Sequence, residues 1–234
     1  EPCSRLYVKD KKTLLFEVTY YKKRINFEVF HVLTDGTGAT EFLKELVSNY
    51  LYLAHQKEGL EPVSMLPEDM TVQDQESDSF LKYYSKDQKR PKEKKTRAFQ
   101  IRRKKKDGNH LHVHESVVSV KEVLKRSREL GVSMTVFLTA VFLKAIHEEM
   151  SKMQEKKPIV LMVPVNLRKF FPSTSMLNFF NWIEPGYDFS KRDRSFEEVL
   201  GYTKDFFEEQ LTKEKMSAHI NDLLALELHP ILRL

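Results

Sequence analysis

Apolar and polar positions alternate over residues 25–31, so that Ile25, Phe27, Val29 and His31 share one face of a period-two strand. A histidine thus closes an otherwise apolar row. Asp35, Gly36, Thr37 and Gly38 read as a tight turn. Phe42, Leu43, Leu46, Val47, Tyr50, Leu51 and Ala54 then recur at helical spacing, which predicts a helix over 39–55. Periodicity fades over 58–97, where Glu58, Glu61, Glu68, Asp69, Asp74, Glu76 and Asp78 give way to a run of lysines and arginines; the expectation is a mobile surface loop with solvated charge.

Helical signals return further on. Ser119 with Glu122 has the capping-box pattern and opens a helix through Leu130, which Gly131 closes as a C-cap. Val132-Ser133-Met134-Thr135 starts a strongly apolar helix running to about Met153. After Lys156-Lys157-Pro158, residues 159–168 (Ile-Val-Leu-Met-Val-Pro-Val-Asn-Leu-Arg) form a near-continuous apolar run of the kind a buried strand shows. Pro172-Ser173-Thr174-Ser175 reads as a loop, Ser195 caps a helix carrying Phe196, Val199, Leu200, Phe206 and Phe207, and a leucine-rich helix or loop spans 217–228. Strands, helices and a buried strand in this order imply an α/β fold, a mixed sheet covered by helices. The chain divides into 1–57, with the His31 strand and its helix; 58–97, the charged loop; and 98–234, with the later helices and the buried strand.

Composition narrows the function classes. Of 234 residues, 41% are hydrophobic; no apolar run reaches the roughly 18 residues of a membrane helix and no signal peptide is recognisable, which points to a cytoplasmic chain. Cys3 is the only cysteine, so an internal disulfide and a cysteine-based zinc cluster are excluded. The net charge of +5 is concentrated between Lys86 and Lys106. Aromatic interleaving there is limited to Phe99, and no RNA-binding fingerprint accompanies it, so nucleic acid is not the expected partner. His110, His112 and His114 would share one strand face like a metal trio, but no further ligands join them and the row reads as solvated; no metal site is expected. No glycine-rich phosphate loop is present. His55, His147, His219 and His229 sit in helical or near-helical contexts without nameable partners.

His31-Val32-Leu33-Thr34-Asp35-Gly36 resembles the HxxxDG motif of the chloramphenicol acetyltransferase-like superfamily, which includes condensation domains, BAHD acyltransferases and microbial alcohol acetyltransferases. Gly131–Asn181 resembles the same superfamily over a longer stretch: the Val132-Ser133-Met134-Thr135 helix, then Val163-Pro164-Val165 leading to Arg168, then Leu177-Asn178-Phe179 where relatives often read Gly-Asn-aromatic. Leu177 stands where that glycine is expected. The nearest branch is that of the microbial alcohol acetyltransferases. The resemblance implies a two-layer α/β sandwich of two subdomains. Since relatives are longer, with the motif elsewhere along the chain, it also implies that these residues are an internal piece with parts of the fold before and after them.

The resemblance assigns roles to several residues. His31 would be the general base that deprotonates an acceptor; an imidazole in an apolar pocket stays neutral near pH 7 and can accept a proton. Asp35, followed by Gly36, would turn away from substrate and pair in two-pronged fashion with Arg168, holding the loop. Asn178 and Ser175 would line a substrate channel, with a Ser or Thr hydroxyl near the oxyanion. The implied reaction moves an acyl group, acetyl on the nearest branch, from a coenzyme A thioester to a small alcohol, with no cofactor. An amine acceptor and a carrier-protein-bound donor stay open, although Phe30 occupies the place of the second histidine in the condensation-domain form. A non-catalytic relative that keeps the fold as a binding module is the remaining class. Read from the residues alone, His31 could equally be a satisfied strand-end histidine before an ordinary Asp-Gly turn.

Overall fold

A computed structural model describes residues 6–9, 11–59, 61, 63–64, 71–85, 97–101 and 115–228. Cys3, nearly all of the cationic run, the His110, His112 and His114 row, and His229 lie outside the described residues. The described chain is α/β and divides into two compact units, one from Glu1–Tyr84 with Asn166–Phe180, the other from Ser85–Val165 with Asn181–Leu234.

In the first unit β1 (Phe16–Tyr21) and β2 (Arg24–Val29) form an antiparallel hairpin across Lys22 and Lys23, in a register that runs from Phe16 opposite Val29 to Tyr21 opposite Arg24. Lys22 takes a positive φ of 52°, as one position of a tight hairpin turn requires. The register gathers Phe16, Val18, Ile25, Phe27 and Val29 on one face. Phe42 of α1 (Gly36–Ala54) packs on that face, 4.9 Å from the Phe27 ring and 5.8 Å from Phe16.

The row does not extend to His31. After Val29 the Phe30 N–H donates to the Leu15 carbonyl at 2.8 Å, and the Leu33 N–H donates to the Phe30 carbonyl at 3.0 Å. This turn takes the chain off the hairpin before the histidine, so His31 is exposed rather than the buried last member of a strand.

Within the segment read as a charged loop, residues 71–85 contain two short helices. Here α2 (Val72–Gln75) and α3 (Ser79–Lys82) form because the acids cap helices: Thr71 and Asp74 make a reciprocal capping box, and Asp78 accepts from the Phe80 and Leu81 N–H groups. Apolar residues among those charges anchor the segment. Phe80 packs edge-on to Phe179 at 5.3 Å, Tyr83 lies 5.1 Å from Phe171, and Ser79 is buried against Ser173.

The second unit is mainly helical. Ser119 caps α4 (Val120–Glu129), and Gly131, at φ 66°, closes it in a Schellman arrangement, with Val132 N–H donating to Ser127 O and Gly131 N–H to Arg128 O. Ser133 caps α5 (Met134–Glu148), which stops about a turn before Met153 and is followed by a short 3-10 turn over Gln154–Lys156. The 159–168 run is neither continuous nor buried on both faces. It breaks into β3 (Ile159–Val160), β4 (Val163–Asn166) and a 3-10 turn over Leu167–Lys169; Ile159, Val165 and Leu167 are buried whereas Met162 is 72% exposed. Each of the two strands has a single strand partner, and Pro164 can donate no ladder hydrogen bond.

β5 (Phe180–Ile183) pairs with β4, and β6 (Gly186–Tyr187) pairs antiparallel with β3. Among the described residues the strands therefore form three two-stranded sheets, where one mixed sheet was expected. α6 (Phe196–Gln210), capped by Ser195, packs on α5, and α7 (Lys213–Glu227) follows. Ala140 and Leu143 of α5, Val199 of α6 and Met216 and Ile220 of α7 supply much of this unit's core. Among the described residues no single helix is long and apolar enough to cross a membrane.

Candidate active site

Asp35 organises the site. It is the N-cap of α1, and its Oδ1 accepts from the Thr37 and Gly38 N–H groups at 3.0 and 3.2 Å, satisfying donors that the first helical turn leaves open. Its Oδ2 accepts from Arg168 Nη1 at 2.7 Å and from the Phe179 N–H at 2.8 Å. The residue is only 5% exposed. Burial by itself would raise the carboxyl pKa; the Arg168 hydrogen bond, the Phe179 and Gly38 N–H bonds and the Arg168 charge outweigh it and hold the group below the usual carboxylate value. Asp35 is thus an ionised anchor.

Arg168 meets Asp35 through one nitrogen, not in the two-pronged geometry expected. Its Nη2 is drawn instead to the Ser175 and Leu177 carbonyls, each at 2.8 Å, and Nη1 also reaches the Phe179 carbonyl at 3.4 Å. Spreading the donors in this way binds a whole segment rather than one carboxylate. Residues 175–179 gain further ties: Thr34 Oγ1 donates to the Met176 carbonyl at 2.6 Å and the Met176 N–H donates to the Gln75 carbonyl at 2.8 Å. Asn166 Nδ2 donates to Thr37 Oγ1 at 3.0 Å, and its Oδ1 accepts from the Arg168 N–H, so Asn166 links the start of α1 to the arginine turn.

His31 lies four residues before this anchor. Its ring centroid is 5.3 Å from that of Phe180, and its carbonyl accepts from Asn178 Nδ2 at 2.8 Å. The same amide nitrogen lies 3.3 Å from the Val32 carbonyl, while Asn178 Oδ1 is buried with no hydrogen-bond partner among the described residues. Ser175 is buried and its hydroxyl is taken up by backbone: Oγ donates to the Gln75 carbonyl at 3.3 Å and accepts from the Leu177 N–H at 3.2 Å. At Leu177, where relatives often carry glycine, both backbone groups are thus engaged.

The tight approach in the turn falls at Gly38 rather than Gly36. A Cβ at Gly38 would run into Thr34 Oγ1 and the Met176 carbonyl, whereas one at Gly36 would meet nothing within 4 Å. A cavity of about 370 Å³ lies beside this turn, walled chiefly by Phe16, Phe27, Val29, Leu33 and Phe42. Its lining is apolar enough for an aliphatic or aromatic group.

The sequence reading singled out His31, Asp35, Gly36, Arg168, Ser175 and Asn178; the structure gathers them in the first unit. Thr34 and Asn166 were not among them, and Gly38 was read only as part of the turn. A second glycine two residues after Gly36 and an amide two residues before Arg168 were the available signals. Two of the histidines passed over have partners in the second unit: His147 contacts Glu155 at 3.2 Å and stacks on Phe189, and His219 Nδ1 lies 3.2 Å from Asn181 Oδ1. Among the described residues no three His, Cys, Asp or Glu side chains converge in a way that could hold a metal ion.

No curated protein matches the chain. A family model for alcohol acetyltransferase matches residues 61–181, a stretch that includes Asn166, Arg168, Ser175 and Asn178 and begins after His31 and Asp35. With more than half of its length under that match, the chain belongs to the alcohol acetyltransferase family, whose chemistry is the transfer of acyl groups to alcohols.

Proposed function

We propose that this chain carries the acyl-transfer centre of a coenzyme A-dependent O-acyltransferase, with an acetyl thioester as donor and a small alcohol as acceptor. His31 takes the hydroxyl proton as the alcohol oxygen attacks the thioester carbonyl. The resulting tetrahedral intermediate collapses with cleavage of the C–S bond, and the leaving thiolate receives the proton from the imidazolium. No covalent acyl-enzyme forms, and no metal or prosthetic group takes part; coenzyme A enters as a substrate thioester. Asp35 and Arg168 hold the loop and take no proton. The parent fold on this reading is the chloramphenicol acetyltransferase-like sandwich.

The observation that carries the proposal is the bonding of Asp35. A carboxylate four residues after a histidine and directly before a glycine has all its oxygens committed to Arg168, Phe179 and the start of α1. It is therefore oriented away from proton transfer, while His31, exposed beside it in sequence, can be reached by a substrate. The family match supplies the acyl and alcohol halves of the reading.

Release of free thiol from acetyl-CoA in the presence of a panel of alcohols and amines tests it. Release that depends on an alcohol supports the proposal. Release only with amines, release only from a carrier-bound acyl group, or binding of acetyl-CoA without turnover would each replace it with one of the rival readings.

A further inference from the structure

We infer that Asn178 is the positioning residue that couples the Asp35–Arg168 anchor to His31, an inference that rests on His31 being the base. Asp35 and His31 are separated by three residues, and the intervening Val32 and Leu33 are exposed, 63% and 38% respectively. Beyond the Phe30–Leu33 turn, chain connectivity on the Asp35 side gives His31 little restraint. A second route runs through the 175–179 segment. Arg168 grips the carbonyls of Ser175 and Leu177, Asp35 takes the Phe179 N–H, and Thr34 takes the Met176 carbonyl, so both ends of the 175–179 segment are fixed. Asn178 projects from that segment and donates through Nδ2 to the main-chain carbonyls of His31 and Val32.

Both contacts are to acceptors, which settles the orientation of the amide: nitrogen must face the His31 loop, and oxygen must face inward. The inward oxygen has no partner among the described residues. A buried acceptor without a donor is destabilising, and such a group in a folded protein calls for a reason. Stability supplies none, since the two bonds it accompanies lie at an exposed loop where water could serve the same carbonyls. Positioning does. Asn178 holds the backbone of the base at the cost of its own oxygen, so the residue is poorly suited to stability and well suited to fixing His31.

That trade predicts an unusual separation of readouts. In Asn178→Ala, loss of the unsatisfied oxygen offsets loss of the two loop bonds, so the melting temperature stays level or rises. Meanwhile kcat falls about 10- to 100-fold, the size expected when a reacting group is misplaced by about an ångström, and KM for the thioester changes little. Asn178→Asp keeps the shape but turns a donor into an acceptor facing two carbonyls, and its kcat falls at least as far as that of the alanine variant.

The experiment measures kcat, KM for acetyl-CoA and melting temperature for wild type, both Asn178 variants and His31→Ala. A kcat loss in both Asn178 variants without a lowered melting temperature in Asn178→Ala supports the inference. Wild-type kcat in either Asn178 variant, or a loss accompanied by a lowered melting temperature in the alanine variant, overturns it. If His31→Ala itself keeps full activity, the base reading fails and the inference falls with it; if only His31→Ala is impaired, the base reading stands and the role of Asn178 is refuted.

Discussion

Asp35 and Glu155 each accept a hydrogen bond from an arginine at 2.7 Å, one in each compact unit, yet the two pairs are physically different objects. Arg168 is 11% exposed in its side chain and spends its donors on one carboxylate and three carbonyls. Arg194 is 56% exposed, and Glu155, 14% exposed, keeps His147 as a second partner. Equal distances therefore conceal unequal dependence. A charge screened by water loses little when its partner is removed, whereas a charge enclosed by protein is left uncompensated.

Arginine truncation breaks the comparison most directly. Arg168→Ala is expected to cost about 3–5 kcal/mol of unfolding free energy, because Asp35 would remain ionised, buried and short of its main donor. Chemical denaturation measures this. Arg168→Lys restores the charge without the fork and is expected to recover only part of the loss, since one ammonium cannot reach Asp35, Ser175 and Leu177 together.

Acid titrates the same anchor. The folded pKa of Asp35 lies below its unfolded value, so the stability it contributes is complete above the ordinary carboxylate range and drains away as pH falls through the folded value. Stability of the wild type should consequently drop more steeply below about pH 4 than that of Asp35→Asn, whose side chain cannot titrate. Parallel stability curves for the two proteins in that window would show that Asp35 is not held ionised.

Gly38→Ala comes next in size. The added methyl must displace Thr34 and the Met176 backbone, an overpacking cost of about 1–3 kcal/mol, while Gly36→Ala enters open space at the first position of α1 and should be neutral or mildly stabilising. Equal effects at the two glycines would remove the close approach of the 175–179 segment from the account. Arg194→Ala should be the mildest change, about 0–1 kcal/mol by the same denaturation measurement.

What the sequence made legible was local. Ser119, Ser133 and Ser195 announce helix starts because a hydroxyl beside an apolar-periodic run has one common use, and each accepts from the N–H three residues on. Gly131 announces a helix end for an equally local reason. Features that depend on distant parts of the chain did not show. Acids over 71–85 looked like solvated charge, although Asp74 and Asp78 serve as caps and Phe80 supplies the packing. An apolar run over 159–168 looked like a doubly buried strand, but it breaks into two short strands with Val160 and Met162 exposed. His31 fitted the apolar row by spacing, but the row ends with the last hairpin bond, Phe30 to Leu15, and the Phe30–Leu33 turn that follows carries the chain away. In the site, the family resemblance pointed to Asp35 and Arg168, while the carbonyl grip of the arginine and the Asn178 link involve main-chain atoms that no residue pattern records.

The account stands or falls on His31 as the group that moves the proton. Alcohol-dependent thiol release from acetyl-CoA should fall by about two to four orders of magnitude in His31→Ala, with the melting temperature of the exposed-site variant close to that of wild type. Equal rates in the two proteins would contradict it.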